Sequence, residues 1–418
     1  MNSETAVRTL PRVAILNAGE QTDYLYGLVS GLAGVGDLQI EVVDSDNSIG
    51  LFDRFPSVRF VNLRGSQRPS DPFLSKLFRI PRYYLRLLRF ALSSDAQVFH
   101  IQWENSLLVF DRTLLNLYYK WCGKKLVSTA HNVYREERDE RGSALREWSL
   151  RRLYRIVDRI VVHTDAMKKE LCERFGVAPE KVHVIPHGLN VRVPHTGLSQ
   201  AEARRRLQIP ANAKVVLFFG YIDRYKGTDI LVQAVGRLLK EDESYFLLVA
   251  GQPKRRNGYL EQLQKEIQLS AADKHARLDL KFIPADKVES YFAAADCLAL
   301  PYRRVSQSGL IFLAYRFGLP IVATDVGSFR SDIRDGDTGI IAAENTPDGF
   351  ASALQRFFGS RLVVNAEETR KRIRTWAEER YSWTRIAQQT MEVYREANEE
   401  KKKAEAPGER KRKSEEEP

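Results

Sequence analysis

Short apolar runs alternate along the chain with longer amphipathic stretches. The runs end at residues that favour loops and are too short for helices, so they predict strands. The longer stretches repeat apolar residues at three- and four-residue spacing, which predicts helices. The predicted strands cover residues 12–17, 38–43, 98–102, 125–130, 160–163, 182–185, 215–219, 246–250, 281–283, 297–300 and 321–324. The helices predicted between them include residues 24–32, 107–121, 229–239, 260–267 and 288–295, and one that ends at 175.

Two series of strand–helix units therefore follow one another, and Pro186, His187 and Gly188 separate them. Continuous apolar strands are typical of parallel sheets that are covered by helices on both faces. The predicted fold class is α/β, with two Rossmann-like parallel-sheet domains that face an interdomain cleft. In such sheets ligands lie beyond the carboxyl ends of the strands. The predicted domains are an N-terminal domain at 1–190, a C-terminal domain at 191–375, a helix at 376–398 that crosses back to the N-terminal domain, and a disordered charged tail at 399–418.

A loop that contains Ser306, Gln307, Ser308 and Gly309 precedes an apolar helix, which ends at Gly318 and Pro320. A helix that starts after such a loop presents free backbone N–H groups and the positive end of its dipole. These features are typical of a diphosphate site. The alternative interpretation is a tight strand-to-helix turn that binds no ligand.

This segment, from 282 to 341, resembles the donor-nucleotide domain of the retaining glycosyltransferases of family 4. Residues 215–234 resemble the strand–Gly–loop–Lys-Gly–helix element of that family, and 185–190 resemble its hinge. Tyr381-Ser382-Trp383 resembles the start of its final helix, so the resemblance covers about 10–397. It implies the GT-B fold, a nucleotide-diphosphate sugar as donor, and transfer with retention of configuration. It also implies no cofactor, because helix dipoles and cations take the place of a divalent metal ion.

Lys226 and Arg224 follow a predicted strand and supply cations that can neutralise a diphosphate leaving group. Gly251 follows another strand, where a glycine lets the backbone approach a ligand. The alternatives are an exposed loop with two ordinary cations and ordinary strand-end turns. With the resemblance, the predicted donor-binding residues are Gly19, Arg224, Lys226, Gly251, Ile283, Gln307, Ser308, Gly309 and Leu310.

Three positions depart from the family pattern. Many members carry two glutamates that contact the donor sugar and the ribose, and the aligned residues here are Val305 and Leu313. Neither side chain can form a hydrogen bond, although Ser306, Gln307 and Ser308 offer polar groups nearby. Tyr221 stands where the family usually has an arginine. We interpret these departures as variation within the family rather than loss of activity.

His131 ends a predicted strand, and family members often use a histidine there to contact the donor sugar or the reacting centre. We therefore predict His131 as catalytic, with a packed structural histidine as the alternative. His100, His163 and His187 are interpreted as structural, with His187 at the hinge. The spacing of His, Asp and Glu residues does not indicate a metal site.

Composition is consistent with a large two-domain protein: 418 residues, of which 43% are hydrophobic. Cys122, Cys172 and Cys297 lie far apart, which excludes a zinc ribbon or a disulfide framework and favours a reducing compartment. We therefore expect a cytoplasmic protein. The formal charge is +11, and the tail from 399 to 418 is neutral, with seven Lys or Arg and seven Glu. The excess positive charge predicts an anionic partner for the folded part.

Residues 73–92 are basic and aromatic and contain no acid. Their cations recur every three or four residues and so predict one helical stripe: Lys76, Arg79, Arg82, Arg86 and Arg89. Leu74, Leu77, Leu85 and Leu88 are predicted on another face, and Pro81 is predicted to kink or restart the helix. A basic amphipathic helix favours an anionic membrane surface, here the inner face of the cytoplasmic membrane. The alternative is an ordinary domain helix with a solvated basic face.

We predict a retaining glycosyltransferase that moves a sugar from a nucleotide-diphosphate donor to a glycan or lipid-linked acceptor. Synthesis of cell-surface or extracellular polysaccharide is the expected role. The alternative, motivated by Val305 and Leu313, is a non-catalytic protein that binds nucleotide or glycan. A nucleic-acid-binding protein is a third and weaker alternative, because the chain contains no recognisable nucleic-acid-binding module.

Overall fold

The computed structural model describes residues 12–18, 21–36, 38–67, 73–105, 107, 109–133, 144–254, 258–269 and 272–404. The strands are β1 (Val13–Leu16), β2 (Ile40–Asp44), β3 (Val58–Asn62), β4 (Val98–Ile101), β5 (Lys125–Thr129), β6 (Arg159–Val162), β7 (Val182–Val184), β8 (Lys214–Phe219), β9 (Tyr245–Ala250), β10 (Ala276–Asp279), β11 (Cys297–Leu300), β12 (Ile321–Ala323) and β13 (Gly339–Ile341).

The α-helices are α1 (Thr22–Val35), α2 (Phe73–Ser93), α3 (Asn116–Trp121), α4 (Ala144–Ile156), α5 (Asp165–Phe175), α6 (Gln200–Arg206), α7 (Thr228–Leu238), α8 (Tyr259–Leu269), α9 (Ala285–Ala294), α10 (Gly309–Arg316), α11 (Phe329–Asp332), α12 (Pro347–Phe358), α13 (Arg361–Val364), α14 (Ala366–Tyr381) and α15 (Trp383–Ala404). Phe110–Leu115 form π-helical turns that lead directly into α3.

The chain folds as two compact units. In the described residues, unit 1 comprises 12–133, 144–186 and 383–404, and unit 2 comprises 187–382. Each unit contains one parallel sheet, with the order β3-β2-β1-β4-β5-β6-β7 in unit 1 and β10-β9-β8-β11-β12-β13 in unit 2. The prediction of two Rossmann-like parallel-sheet domains is confirmed.

Unit 2 shows why its central strands are apolar throughout. Val215 and Leu217 of β8 pack into one hydrophobic core, whereas Val216 and Phe218 pack into another. Successive side chains of a strand point to opposite faces of the sheet. Helices therefore cover both faces, and β8 needs apolar residues at every position.

One predicted strand was wrong. We predicted residues 281–283, but the strand is β10 at Ala276–Asp279, and the Lys281 amide donates to the Asp279 carbonyl at 2.9 Å in the turn that follows. β10 is an edge strand whose side chains are all only partly buried. Such a strand needs no continuous apolar run, so its pattern is weak.

The last helix, α15, belongs to unit 1, where it packs on α1. A Cβ atom on Gly27 would overlap the Trp383 ring, and one on Gly31 would lie 2.5 Å from the Trp383 carbonyl oxygen. Glycines at these two positions of α1 therefore allow the backbone of α15 to approach closely. The helix continues to Ala404, and residues 405–418 of the predicted tail lie outside the described ranges.

Candidate active site

In unit 2, loops at the carboxyl ends of neighbouring strands meet through glycines. Gly220 follows β8 with φ of 99°, and Gly251 follows β9 with φ of 150°. A Cβ atom on Gly251 would overlap the carbonyl oxygen of Gly220. The backbone thus occupies space that a side chain would fill elsewhere, which brings the two strand ends close together.

Lys226 is held in the same place. It ends a short 3-10 turn, Arg224–Lys226, and is followed by Gly227 with φ of 67°. Its side chain is buried, and Nζ lies 5.2 Å from the centroid of the Tyr302 ring. Nζ also lies 3.2 Å from where a Cβ atom on Gly220 would stand. The Arg224 side chain, by contrast, is exposed to solvent.

The first turn of α10 borders the same strand end. Leu310 Cδ1 lies 3.5 Å from the Cβ position of Gly220. Ser308 precedes the helix, its side chain does not cap the helix, and its Oγ lies 3.5 Å from the Tyr302 hydroxyl. A Cβ atom on Gly309 would meet nothing closer than His187 Nε2, at 4.0 Å. Gly309 also lacks a positive φ, so in the described residues neither packing nor backbone conformation requires a glycine there.

The loop before α10 is anchored through Asp332. Gln307 Nε2 donates to Asp332 Oδ2 at 3.2 Å, and Ser328 Oγ donates to the same oxygen at 2.6 Å. Burial raises the pKa of the Asp332 carboxyl group. The Gln307 side chain, which we predicted to bind the donor, is thus already hydrogen-bonded to Asp332.

Val305 and Leu313 are both buried in the hydrophobic core of unit 2. A Cβ atom on Gly327 would overlap the Val305 carbonyl oxygen, so the backbone is tightly packed here. Ionised carboxylates would be costly at these two positions, because no water could solvate them. Ile283 is also buried, next to an exposed Phe282, in the segment after β10.

In unit 1 the strand ends carry a chain of hydrogen-bonded side chains. His163 Nδ1 donates to the Ile185 carbonyl at 3.0 Å, and His163 Nε2 lies 2.9 Å from His131 Nδ1. Burial lowers the pKa of His163 to about 4, so this ring is neutral near pH 7. Its Nε2 therefore accepts a hydrogen bond from His131 Nδ1.

The other nitrogen of His131, Nε2, lies 3.2 Å from Gln102 Oε1. The amide of Gln102 also reaches His100 Nε2 at 2.9 Å, and burial lowers the pKa of His100 to about 3. Gln102 thus connects His131 and His100 through the two ends of its side-chain amide. The His131 ring is stacked on Trp103, with centroids 4.9 Å apart. Sequence reasoning missed the contact between His131 and His163, although both end predicted strands.

A cavity of about 380 Å³, including its part open to solvent, lies at the carboxyl ends of β1 and β4. Its polar lining consists mainly of amides and carboxylates: Asn17, Asn105, Asn116, Glu104 and Asp111. Asn17 Nδ2 donates to Asp44 Oδ2 at 2.9 Å, which fixes the orientation of the amide. Within the described part of the chain, Asn17 Oδ1 is buried without a hydrogen-bond partner. None of the described lining residues is Lys, Arg or His.

The remaining predicted residues are placed less fully. Gly19 lies outside the described residues, as does the side chain of Lys76. Arg82 and Arg89 are exposed on α2, whereas Arg79 and Arg86 are half-buried. Among the described residues, no group of three or more His, Cys, Asp or Glu side chains is arranged to hold a metal ion.

Two family models match this chain. Glycosyltransferase family 4 matches residues 22–193, and glycosyl transferases group 1 matches residues 213–360. A D-inositol 3-phosphate glycosyltransferase from Corynebacterium urealyticum is 28% identical over 280 residues, which are 64% of each chain. The match therefore spans less than two thirds of that relative.

Two solved structures show the same fold. Anabaena HepE in complex with UDP and glucose has a TM-score of 0.70 at 17% identity, and the match covers 92% of this chain and 100% of that chain. Sucrose-phosphate synthase from Thermosynechococcus elongatus has a TM-score of 0.71 at 18% identity, with 93% and 100% covered. The predicted GT-B fold is confirmed, and in sequence the chain is similar to the glycosyltransferases of the family 4 type.

Proposed function

We propose that this protein is a glycosyltransferase that takes a sugar from a nucleotide-diphosphate donor bound by unit 2. The observation that carries the proposal is the open space at Gly309, next to a helix N-terminus and a strand end that holds Lys226. The first backbone N–H groups of α10 lack partners within the helix and suit phosphate oxygens. Lys226 supplies a positive charge where the diphosphate leaves.

The donor-binding roles of Gly251, Ser308 and Leu310 follow from their places around this space. Arg224 can reach it only by a change in its exposed side chain, and Ile283 offers main-chain groups. The proposed reaction proceeds without a metal ion, because a cation and helix amides neutralise the phosphate charge. Retention of configuration is part of the proposal and rests on the family resemblance.

For the acceptor, we propose that the cavity in unit 1 binds a neutral hydroxyl group. Asn17 Oδ1 is buried without a described partner and can accept from an O–H donor. Of the two carboxylates in the lining, Glu104 is paired with Arg112, and Asp111 accepts from the Tyr84 hydroxyl. The relative's name specifies a phosphorylated cyclitol, whose phosphate would meet no cation among the residues described as lining this cavity. A sugar or lipid-linked glycan acceptor, and hence a role in polysaccharide synthesis, suits it better.

His131 is proposed as the catalytic residue on this side of the reaction. Its ring is fixed by Trp103, His163 and Gln102, so small movements of a ligand would not displace it. A rigid, pre-oriented group is what catalysis requires, because reorganisation during the reaction costs free energy. The cytoplasmic location stays part of the proposal.

The test of the donor site is nucleotide binding by the variant Lys226→Met. Loss of one charge-assisted contact should weaken UDP, GDP or ADP binding about tenfold or more, whichever nucleotide the parent prefers. Calorimetry measures it, and Lys240→Met is the matched control, because Lys240 is an exposed lysine after α7. Equal affinity in Lys226→Met and the control would remove this loop from the donor site.

A second candidate function is nucleotide or glycan binding without catalysis. The burial of Val305 and Leu313 favours it, since the family's two glutamates have no counterpart there. The two functions differ in turnover of the donor. If the parent protein binds a nucleotide sugar but neither hydrolyses nor transfers it with any acceptor supplied, the binding function is correct.

A further inference from the structure

Large apolar side chains are exposed on three consecutive helical segments of unit 1. On α2 these are Phe78, Ile80, Leu85 and Leu92, and on the following segment, Phe110–Leu115 with α3, they are Leu114, Leu117 and Trp121. Trp121 is 74% exposed and Phe78 is 65% exposed. On α4, Leu145 and Trp148 are also exposed. Single exposed apolar residues are ordinary, but a cluster of this size indicates an interaction surface.

Apart from Ile80, which lies on another side of α2, the spacing places these residues on one face of each helix. Positions 78, 85 and 92 are seven residues apart, and positions 114, 117 and 121 are three and four apart. Both spacings return to the same side of an α-helix. The opposite face of α2 is buried through Tyr83, Leu87 and Phe90, so the exposed face is not the one that packs on the sheet.

The three segments form one layer, here called the helical layer of unit 1. They connect β3 to β4, β4 to β5 and β5 to β6, and so advance in one direction across the sheet. Right-handed crossovers place such helices on the same face of a parallel sheet. The Tyr118 hydroxyl donates to the Leu88 carbonyl at 3.2 Å, and Arg112 Nη1 donates to Ser149 Oγ at 3.0 Å. These contacts join α2, the middle segment and α4 side by side.

The charge of this surface is positive. α2 carries five cations and no acid, and its exposed face reads Phe78, Arg82, Leu85, Arg89, Leu92. The prediction that Leu85 lies on a face away from the cations was therefore wrong: it is exposed between Arg82 and Arg89. Pro81 lies inside α2, which continues as one helix without a restart. On α4, Arg152 and Arg155 are exposed as well.

We propose that the helical layer of unit 1 docks onto a bilayer that contains anionic phospholipid. The exposed arginines would contact lipid phosphates, while Phe78, Leu117 and Trp121 would enter the boundary between head groups and acyl chains. The charge of α2 selects an anionic surface, and the leucines gain free energy from acyl chains that a nucleic acid could not supply. No helix in the described residues is both long and apolar enough to cross a bilayer.

The structure adds apolar residues to the membrane-binding surface that the sequence predicted from the cations of α2. The cations of α2 were predicted from their spacing, but the apolar contribution of Leu114, Leu117 and Trp121 was not, because residues 107–121 were assigned only as a helix. The proposal does not depend on the proposed glycosyl transfer. A lipid-linked acceptor would be delivered at such a surface, but the surface binds the membrane whatever the protein's chemistry.

The test compares sedimentation with vesicles of phosphatidylcholine alone and of phosphatidylcholine with phosphatidylglycerol. The parent should bind the anionic vesicles only. The double variant Arg82→Gln and Arg89→Gln should lower that affinity about thirtyfold, since the loss of each cation near an anionic surface weakens binding about five- to sixfold. Arg205→Gln with Arg206→Gln on α6 of unit 2 is the matched control and should bind as the parent does.

The apolar part is tested with Leu117→Ser and Trp121→Ser together. Both side chains are exposed, so the fold should persist, and vesicle binding should fall at least tenfold. Ile49→Ser, an exposed apolar residue of unit 1 outside the helical layer, is the matched control. Nucleotide affinity should stay at the parent value in every variant, which separates this test from that of the donor site.

Four results would overturn the proposal. The parent protein could fail to bind anionic vesicles at low salt, or the serine and glutamine variants could bind as tightly as the parent. The variants could instead abolish a concentration-dependent dimer in the absence of lipid, which would assign the surface to a second copy of this chain. Binding of an oligonucleotide that the glutamine variant abolishes, without vesicle binding, would assign it to nucleic acid.

Discussion

Both sheets have an edge formed by the carboxyl ends of parallel strands, but different groups lie at the two edges. In unit 2 the strand ends carry Gly220 and Gly251, with Lys226 and the first turn of α10 beside them. In unit 1 they carry side chains that contact one another, among them His131 and His163. The comparison shows that the residues just after a strand, rather than the sheet, decide which ligand chemistry an edge can serve.

The electrostatic consequences differ accordingly. Unit 2 brings backbone amides and a buried cation to one place, which suits an anion. In unit 1, burial lowers the pKa of His163 to about 4 and that of His100 to about 3, so these rings are uncharged near pH 7. Neutral groups that both donate and accept hydrogen bonds suit the hydroxyl groups of a sugar, because a hydroxyl group needs a donor and an acceptor as partners.

The largest expected effect on stability is that of a side chain added at Gly251, where neighbouring backbone already occupies the space. Gly251→Ala would force a Cβ atom into the Gly220 carbonyl at a φ that favours glycine. The free energy of unfolding should fall by about 3 kcal/mol or more, because neither backbone segment can move without breaking its strand. Urea unfolding measures it. Gly34→Ala in α1, where a Cβ atom would meet nothing within 4 Å, is the control and should be neutral or stabilising.

A smaller effect concerns the neutral histidines of unit 1. The folded pKa of His163 is about 4, below the ordinary value of 6.5. Between these two values the unfolded chain binds more protons, so the free energy of unfolding falls as the pH is lowered. Lowering the pH from 7 to 5 should cost His163 about 2 kcal/mol, and His163→Asn should remove that part of the slope.

The readout is the change in unfolding free energy between the two pH values, and not the stability of the variant at either one. His100→Asn should reduce the same slope, because burial also lowers the pKa of His100. A slope that is the same in the parent and both variants would show that unit 1 does not keep these rings uncharged. The contrast between a neutral edge and a cationic one would then fail.

The sequence predicted more of the site in unit 2 than of the contacts in unit 1. Lys226 and Gly309 belong to local motifs, in which a strand, a loop and a helix follow one another in the chain. The contact between His131 and His163 joins residues far apart in sequence, and it depends on β5 lying next to β6. Likewise the bond between Asn17 and Asp44 requires β1 beside β2. A single sequence does not contain the strand order, so these contacts were not predictable.

The strands also differ in how well the sequence predicts them. Central strands such as β8 and β9 were predicted because both of their faces are buried, which demands a continuous apolar run. The edge strand β3, at Val58–Asn62, was not predicted, and β10 was misplaced. Their side chains are mostly half-buried, so these edge strands need no continuous apolar run of the kind that marks the central strands.

The smallest expected effect on stability is also the sharpest test of the comparison. Gly309→Ala adds a Cβ atom at the start of α10, where its nearest neighbour in the described residues would be His187 Nε2 at 4.0 Å. Because alanine is the better helix former, the free energy of unfolding should stay the same or rise by less than about 1 kcal/mol. Nucleotide affinity should nevertheless fall about tenfold, since the added methyl group occupies the space proposed for the diphosphate. Gly309→Val should weaken binding further while the protein remains folded. Calorimetric titration with the preferred nucleotide measures both. If the affinity of either variant equals that of the parent, the diphosphate binds elsewhere, and the open space at the start of α10 is not what distinguishes unit 2 from unit 1.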